Sequence, residues 1–417
     1  MNLSRNGRPL RVCVCTSLAA AAEPRAPRHA ATLAALPEVG SVVLVDCAPV
    51  GADRRPVQAL MGQEKLTWVT HAFATRTAAP VRLAAQRLRQ QMERWCFQAT
   101  GRVAAGALST RAYGLERALS RAAADVYLAH NIETLLPAAR AAQRRGALLM
   151  FDSMEFHSDM GDGQTAVERA LVQAVEREWL PRSALVLASS DQVADALVAE
   201  YGIARPVALY NTPPRVAALP PRTVGTFALY WRNAVVGLGQ RGLEDALLAL
   251  QKLPAEIELH LQGRLPEDGG QALRARIAEL GLGERVGIHP PYAPEAAVPE
   301  AARHTVGLCL ERRGVRNHDL TVSNKLFDYH MAGLAVIVSD LPGLRSVVER
   351  SGGGMWFEPG SVEDLAAKIR LLYEDEALLR RLAAQAREFA LREGNREREM
   401  EKFTVAFMDA LAGQKRN

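Results

Sequence analysis

An amide, an ammonium and a carboxylate stand close together at Asn324, Lys325 and Asp328. They lie inside the stretch Thr321-Val-Ser-Asn-Lys-Leu-Phe-Asp-Tyr-His-Met-Ala-Gly-Leu-Ala-Val-Ile-Val-Ser-Asp-Leu-Pro-Gly343. Spacings of three and four residues put all three side chains on nearly one face of a helix. Ser323 suits the N-cap, where a hydroxyl accepts from a free amide, and Gly333 suits the left-handed residue that closes a helix. Leu334 to Val338 predicts a strand covered on both faces, and Asp340-Leu-Pro-Gly343 predicts a turn. Free amides at the helix start, with Lys325, attract phosphate, while Asp328 accepts from hydroxyls. The trio therefore fits a polar, anionic ligand. It equally fits the solvated face of an amphipathic helix.

Other residues with chemical potential are fewer. Gly237-Leu-Gly-Gln-Arg-Gly242 matches the dinucleotide pattern G-x-G-x-x-G, yet Arg232 to Val236 separate it from the preceding predicted strand, and no acid ends the next strand. What survives is a flexible loop with Arg241 at a helix start, which suits a diphosphate. Polar groups also end predicted strands at His130, Glu133, Asp152 and Glu155, where parallel sheets place ligands. No D-x-D, H-x-x-H or H-E-x-x-H spacing supports a metal centre, and no G-x-S-x-G supports a serine hydrolase. Neither a metal nor a cofactor is expected.

The elements that must carry these groups alternate. Leu10 to Leu18, Ser41 to Val45, Asp125 to Leu128, Leu148 to Phe151, Ala184 to Ala188 and Pro206 to Tyr210 read as strands, with helical segments between most of them. A proline-dense segment through Pro220 and Pro221 follows. The alternation then restarts at Thr226 to Trp231 and continues through Ile257 to Gln262, Val286 to His289 and Val306 to Leu310. Glu397 to Leu411 reads as a terminal helix. The fold class is α/β, with two doubly wound parallel-sheet domains expected over residues 1–215 and 216–395, and a last helix over 396–417.

A chain of 417 residues with 48% hydrophobic content has room for two cores. No run approaches the roughly 20 apolar residues that span a bilayer. Arg5, Arg8 and Arg11 precede no long apolar segment, so a secretion signal is not expected. Five cysteines without metal spacing predict buried free thiols in a reducing, cytoplasmic setting. Net charge is +5, and the excess concentrates between Phe73 and Ala124, where nine arginines face Glu93 and Glu116. Leu83, Leu88, Trp95, Phe97, Val103 and Leu108 are interleaved with them. That pattern fits helices attracted to an anionic membrane, such as the inner face of the plasma membrane, or solvated helix faces. No nucleic-acid motif accompanies it.

Five stretches together resemble the family 4 glycosyltransferases of the GT-B fold. Ser323-Asn-Lys-Leu-Phe-Asp-Tyr-His-Met-Ala-Gly-Leu-Ala-Val-Ile-Val-Ser339 is similar to that family's P-N-K-L-F-E-Y-M-A-A-G-x-P-V-I-x-S. Glu23-Pro-Arg25 resembles D-x-R-V, and Tyr127 to Pro137 resembles H-A-H-D-x-x-T-L-L-P. Phe151-Asp-Ser-Met-Glu155 resembles Y-D-S-H-E, and Tyr210-Asn-Thr-Pro213 resembles y-N-x-P. Arg241-Gly242 falls where the family has K-G or R-G.

The resemblance implies two Rossmann-like domains facing a cleft, with the last helix returning to the first domain. It implies metal-independent, retaining sugar transfer from a nucleotide-diphosphate sugar to a glycan or lipid-linked acceptor. Arg241 and Lys325 would hold the diphosphate, Asn324 the helix start, Asp328 the ribose, and Arg232 would lie beside the donor. Arg25, Glu133, Asp152 and His157 would line the acceptor side, with His130 and Glu155 as catalytic candidates. Four sites depart from the family. Met154 replaces the histidine of Y-D-S-H-E, Asn131 replaces an aspartate, Trp231-Arg232 stands where the family commonly places a glycine beside the donor, and Leu320 stands where a glutamate contacts the donor sugar. A thioether cannot relay a proton. The departures motivate the alternative of a non-catalytic GT-B scaffold, with an epimerase or phosphorylase as a further one.

Overall fold

A computed structural model describes residues 8–51, 62–161, 163–221, 227–239 and 241–413. Arg5, Gln240 and Thr226 of the sequence reading lie outside the described residues. The chain divides into two compact units, residues 1–209 with 400–417, and residues 210–399. The division falls six residues before the expected end of the first domain, because Tyr210 packs with the second unit.

The first unit contains β1 (Leu10–Thr16), α1 (Arg25–Ala34), β2 (Val39–Pro49), β3 (Leu66–Phe73), α2 (Pro80–Thr100), α3 (Ala105–Leu108) and α4 (Ala112–Arg121). It continues with β4 (Val126–His130), α5 (Ile132–Arg145), β5 (Leu148–Ser153), α6 (Ala166–Trp179), β6 (Leu185–Ala188), α7 (Asp191–Tyr201) and β7 (Val207–Ala208). Its sheet has the order β3-β2-β1-β4-β5-β6-β7, parallel throughout. Strand order reverses between β1 and β4, so their carboxyl ends open a crevice there. β1 and β4 are rich in Val and Leu because both faces are covered.

The second unit contains β8 (Phe227–Val235), α8 (Leu243–Gln251), β9 (Ile257–Arg264), α9 (Gln271–Glu279), β10 (Val286–His289), α10 (Ala297–Ala302), β11 (Val306–Cys309) and α11 (Arg316–Leu320). Then follow α12 (Asn324–Met331), β12 (Ala335–Ser339), α13 (Pro342–Ser351), β13 (Gly354–Phe357), α14 (Val362–Glu374) and α15 (Glu376–Arg392). The last helix, α16 (Arg396–Gly413), begins in this unit and ends in the first. Sheet order is β10-β9-β8-β11-β12-β13, and the reversal lies between β8 and β11. Alternate residues feed two apolar layers: Leu229, Trp231, Ala335 and Ile337 enter one, Tyr230, Val336 and Val338 the other.

Several expectations are corrected. β3, α6, α11, α13 and β13 were not foreseen. α6 is set by a capping box between Thr165 and Glu168, and α13 opens with Pro342 at its first position, so Asp340 to Gly343 begins a helix rather than only turning the chain. Ser323 sits at the N-cap of α12 without a side-chain capping bond, while Gly333 does adopt φ +70° after its end. Four cysteines are buried as expected, but Cys96 is exposed on α2. Among the described residues no helix is long and apolar enough to cross a membrane.

Candidate functional site

The crevice beyond β8 and β11 gathers charged groups from four segments. β8 runs through a bulge to Val235, so Arg232 stands within it and the Gly237–Gly242 loop follows almost directly. That corrects the expected gap between strand and glycines. Gly242 has φ +72°, and a Cβ there would lie 3.2 Å from the Cβ of Leu310, so glycine permits both the turn into α8 and the approach to β11. Arg241, at φ +40°, extends Nη1 to Glu311 Oε1 at 2.6 Å.

Glu311 follows β11 and is nearly buried. Its backbone is fixed at both ends by Ser339: the Glu311 amide donates to Ser339 Oγ at 2.8 Å, and that hydroxyl donates to the Glu311 carbonyl at 2.8 Å. Lys325, in the first turn of α12, is 4% exposed, and its ammonium has no hydrogen-bond partner among the described residues. It stands 5.2 Å from the ring centre of Trp231. Burial lowers its pKa, partly offset by the nearby Glu311 carboxylate. A buried ammonium without a partner is costly unless an anion completes its shell. One turn on, Asp328 is paired with Arg232. Burial opposes the charge on Arg232, but Asp328 together with Tyr292, Tyr329 and Tyr230 outweighs it and raises the guanidinium pKa. The Arg232 amide donates to Tyr329 Oη at 3.1 Å. Asn324, at the helix start, is exposed.

The structure thus brings Arg232, Arg241, Lys325 and Asp328 into one unit's crevice, with Asn324 on its rim. It adds Glu311 and Ser339, which sequence reasoning missed. The available signal was an acid just past a buried strand, the rule already applied to the first unit.

The first unit's candidate residues separate into two groups. Arg25 makes a fork to Asp152, Nε to Oδ2 at 2.6 Å and Nη2 to Oδ1 at 2.8 Å, and Nη1 donates to the Leu209 carbonyl at 2.6 Å. His130 Nδ1 lies 3.2 Å and His29 Nδ1 3.7 Å from the same carboxylate. His29 stacks on Phe403 with ring centres 4.0 Å apart. Burial pushes the Asp152 carboxyl up, but Arg25 and the adjacent imidazoles hold it below its ordinary value. Burial pushes His29 well below the ordinary imidazole range. All four groups are buried. Arg25, His130 and Asp152, expected on the acceptor side, thus come together with His29 in a buried polar cluster, because β4 and β5 run one or two residues further than their apolar runs.

His29, His130 and Asp152 place one ligand atom each within 4.8 Å of the others, a spacing a cation can use. Arg25 already occupies both carboxylate oxygens and supplies the positive charge there. His157 is also buried, and burial lowers its pKa to about 4, with Glu133 and Asp152 opposing. Glu133 and Glu155 are half-buried, and Glu133 accepts from Ser17 Oγ at 3.1 Å. Asn131 adopts φ +70° with ψ 152° between β4 and α5, a conformation strained for any residue but glycine.

Residues 238–389 match the family described as glycosyl transferases group 1. The match lies within the second unit, and of the crevice groups there Arg241, Glu311, Lys325 and Asp328 fall inside the matched span while Arg232 precedes it. No curated protein matches the chain. Similar solved structures include sucrose-phosphate synthase from Thermosynechococcus elongatus, at 14% identity, TM-score 0.72, and coverage of 97% of this chain and 100% of that one. Anabaena HepE in complex with UDP is 14% identical, with TM-score 0.66 and coverage of 96% and 100%. The apo form of the lipopolysaccharide outer core galactosyltransferase WaaB is 15% identical, with TM-score 0.62 and coverage of 96% and 99%. At such identities the likeness carries the fold. That fold is GT-B: two Rossmann-like units, the second containing the matched span.

Proposed function

We propose that the protein is a metal-independent, retaining glycosyltransferase of family 4. It transfers a sugar from a nucleotide-diphosphate sugar to a glycan or lipid-linked acceptor in envelope polysaccharide or glycoconjugate synthesis. The observation that carries the reading is Lys325, buried in the first turn of α12 without a hydrogen-bond partner among the described residues, and close enough to Arg241 to feel its charge. A donor diphosphate supplies the anion that this ammonium lacks. Charge grows on the diphosphate as its bond to the anomeric carbon breaks, and fixed cations stabilise that charge more than the ground state. The acceptor hydroxyl attacks on the face the diphosphate leaves, and its proton passes to a diphosphate oxygen. The products are a glycoside with retained configuration and a nucleoside diphosphate. Asp328 takes the ribose hydroxyls, which requires Arg232 to share or release it. Anabaena HepE has been solved with UDP-glucose, which supports a nucleotide sugar as donor.

The setting we propose is cytoplasmic and peripheral on the inner face of the membrane. The arginine-rich α2–α4 region makes an anionic lipid surface a partner. A second reading, a non-catalytic scaffold of the same fold, is favoured by Met154, half-buried at the position of the family histidine.

Calorimetry against nucleoside diphosphates and a panel of nucleotide sugars tests the reading. Binding is expected, weakened in both Arg241→Ala and Lys325→Ala by about 1.5–3 kcal/mol, the range for a charge-assisted contact. Absence of binding overturns it. Binding without transfer or donor hydrolysis selects the scaffold.

A further inference from the structure

Helix α2 carries an apolar face turned away from its own unit. No residue of α2 is buried. Val81, Leu88, Met92 and Trp95 are 83%, 64%, 58% and 59% exposed. Their spacings of seven, four and three residues confine them to an arc of about 60° on the helix. The exposed Ala84, Ala85 and Ala99 share the face. Arg82 and Arg89 edge it on one side and Arg87 on the other, all exposed.

The orientation is fixed from behind. Arg94 donates to the Ala107 carbonyl at 3.0 Å and pairs with Glu168 at 2.8 Å, and Gln90 reaches the same carbonyl. Leu83 and Phe97 are half-buried on that inner side. Glu93, the one acid in the helix sequence, is turned inward and paired with Arg89 at 2.9 Å.

We propose that this face lies flat on an anionic lipid bilayer, with Val81, Leu88, Met92 and Trp95 at the headgroup–acyl boundary and Arg82 and Arg87 on lipid phosphates. The inference rests on the peripheral-membrane part of the proposed function and names the surface that performs it. Charge chooses the occupant. A second copy packed face to face by two-fold symmetry would set arginine against arginine, with no exposed acid on the face to pair them. An anionic bilayer offers apolar depth and phosphates together. The helix is about 30 Å long and lies in the plane of the surface.

The full chain is sedimented with vesicles of phosphatidylcholine alone and of phosphatidylcholine with about one-third phosphatidylglycerol. Binding is expected to be about tenfold or more tighter on the anionic vesicles and to fall with salt. Trp95 emission shifts to the blue on binding, and Trp95→Phe removes that shift. Leu88→Gln/Met92→Gln/Trp95→Gln is expected to lose about tenfold or more in binding with unchanged circular dichroism. Arg82→Gln/Arg87→Gln is expected to reduce the preference for anionic lipid. Equal binding to both vesicles, or a triple variant that binds like the parent, overturns the proposal. So does a dimer in ultracentrifugation that the triple variant dissociates while vesicles are ignored. Donor calorimetry is run without vesicles, so loss of either property leaves the other reading standing.

Discussion

Arg232, within β8, is held on the carboxylate of Asp328, on the inward face of α12. The pair ties the sheet to the helix whose first turn holds Lys325, and it occupies the carboxylate that the proposed function assigns to ribose. A further bond supports the same junction, since the Arg232 amide donates to Tyr329 Oη at 3.1 Å. Donor binding and this ion pair therefore draw on one acid.

A double-mutant cycle measures that competition. Arg232→Gln and Asp328→Asn are each expected to lower stability by about 1–3 kcal/mol, discounted because the Arg232 side chain is 25% exposed. The double variant should lose less than the sum, with a coupling of about 0.5–3 kcal/mol. Chemical denaturation of the four proteins gives these terms, and additive losses would show that the pair does not hold the junction. Asp328→Asn should also weaken donor affinity, whereas Arg232→Gln should spare it or raise it.

Acid stability should depend on His330. It is fully buried, neither ring nitrogen has a partner among the described residues, and burial lowers its pKa to about 3. The unfolded chain binds a proton near pH 6.5 that the folded chain refuses until about pH 3. Its contribution is thus fully present above pH 6.5 and is lost as pH falls toward 3. His157 and His304, both lowered to about 4, act in the same direction. His330→Leu should reduce the pH slope of unfolding free energy between about pH 4 and 6 by close to one proton. Denaturation curves across that window provide the check, and an unchanged slope would refute it.

The buried fork between Arg25 and Asp152 should be costly to break. Asp152→Asn leaves a guanidinium 5% exposed without its counter-charge, an expected loss of about 3–5 kcal/mol. Arg25→Met/Asp152→Leu removes both charges and should recover much of it, although His130 and His29 then lose their carboxylate neighbour. Thermal unfolding of the single and double variants decides. A double variant as unstable as the single would mean the imidazoles, not the ion pair, need the carboxylate.

How legible the molecule was in its sequence depended on the kind of signal. Short apolar runs such as Val12 to Cys15 and Ala335 to Val338 announce strands buried on both faces, so the parallel architecture and most strand positions were readable. Two of the four edge strands were not. β3 is half-buried and mixes polar with apolar residues, which blurs both periods, and β13 is a run of only four residues, Gly-Met-Trp-Phe. Lys325 and Asp328 were readable because helical spacing alone puts them together. Glu311 and Ser339 were not, because their two-way hydrogen bond joins segments 28 residues apart. The burial of His130 was not readable, because β4 extends two residues past the strand seen in the sequence and ends on that residue beside Asp152.

Lys325 itself should separate stability from function. Its ammonium is buried against Trp231 without a hydrogen-bond partner among the described residues, so in the ligand-free protein it is a net expense of desolvation. Lys325→Met keeps the length of the side chain and removes the charge. The unliganded variant should unfold at equal or higher temperature than the parent, while affinity for a nucleoside diphosphate falls by about 1.5–3 kcal/mol. Opposite signs are the diagnostic. If Glu311 were the true partner of Lys325, the substitution would instead destabilise the free protein, since Glu311 would keep Arg241 alone to balance it. Thermal unfolding without ligand and calorimetry with a nucleoside diphosphate, on the same two proteins, separate a site built to wait for an anion from an ion-pair network that is already complete.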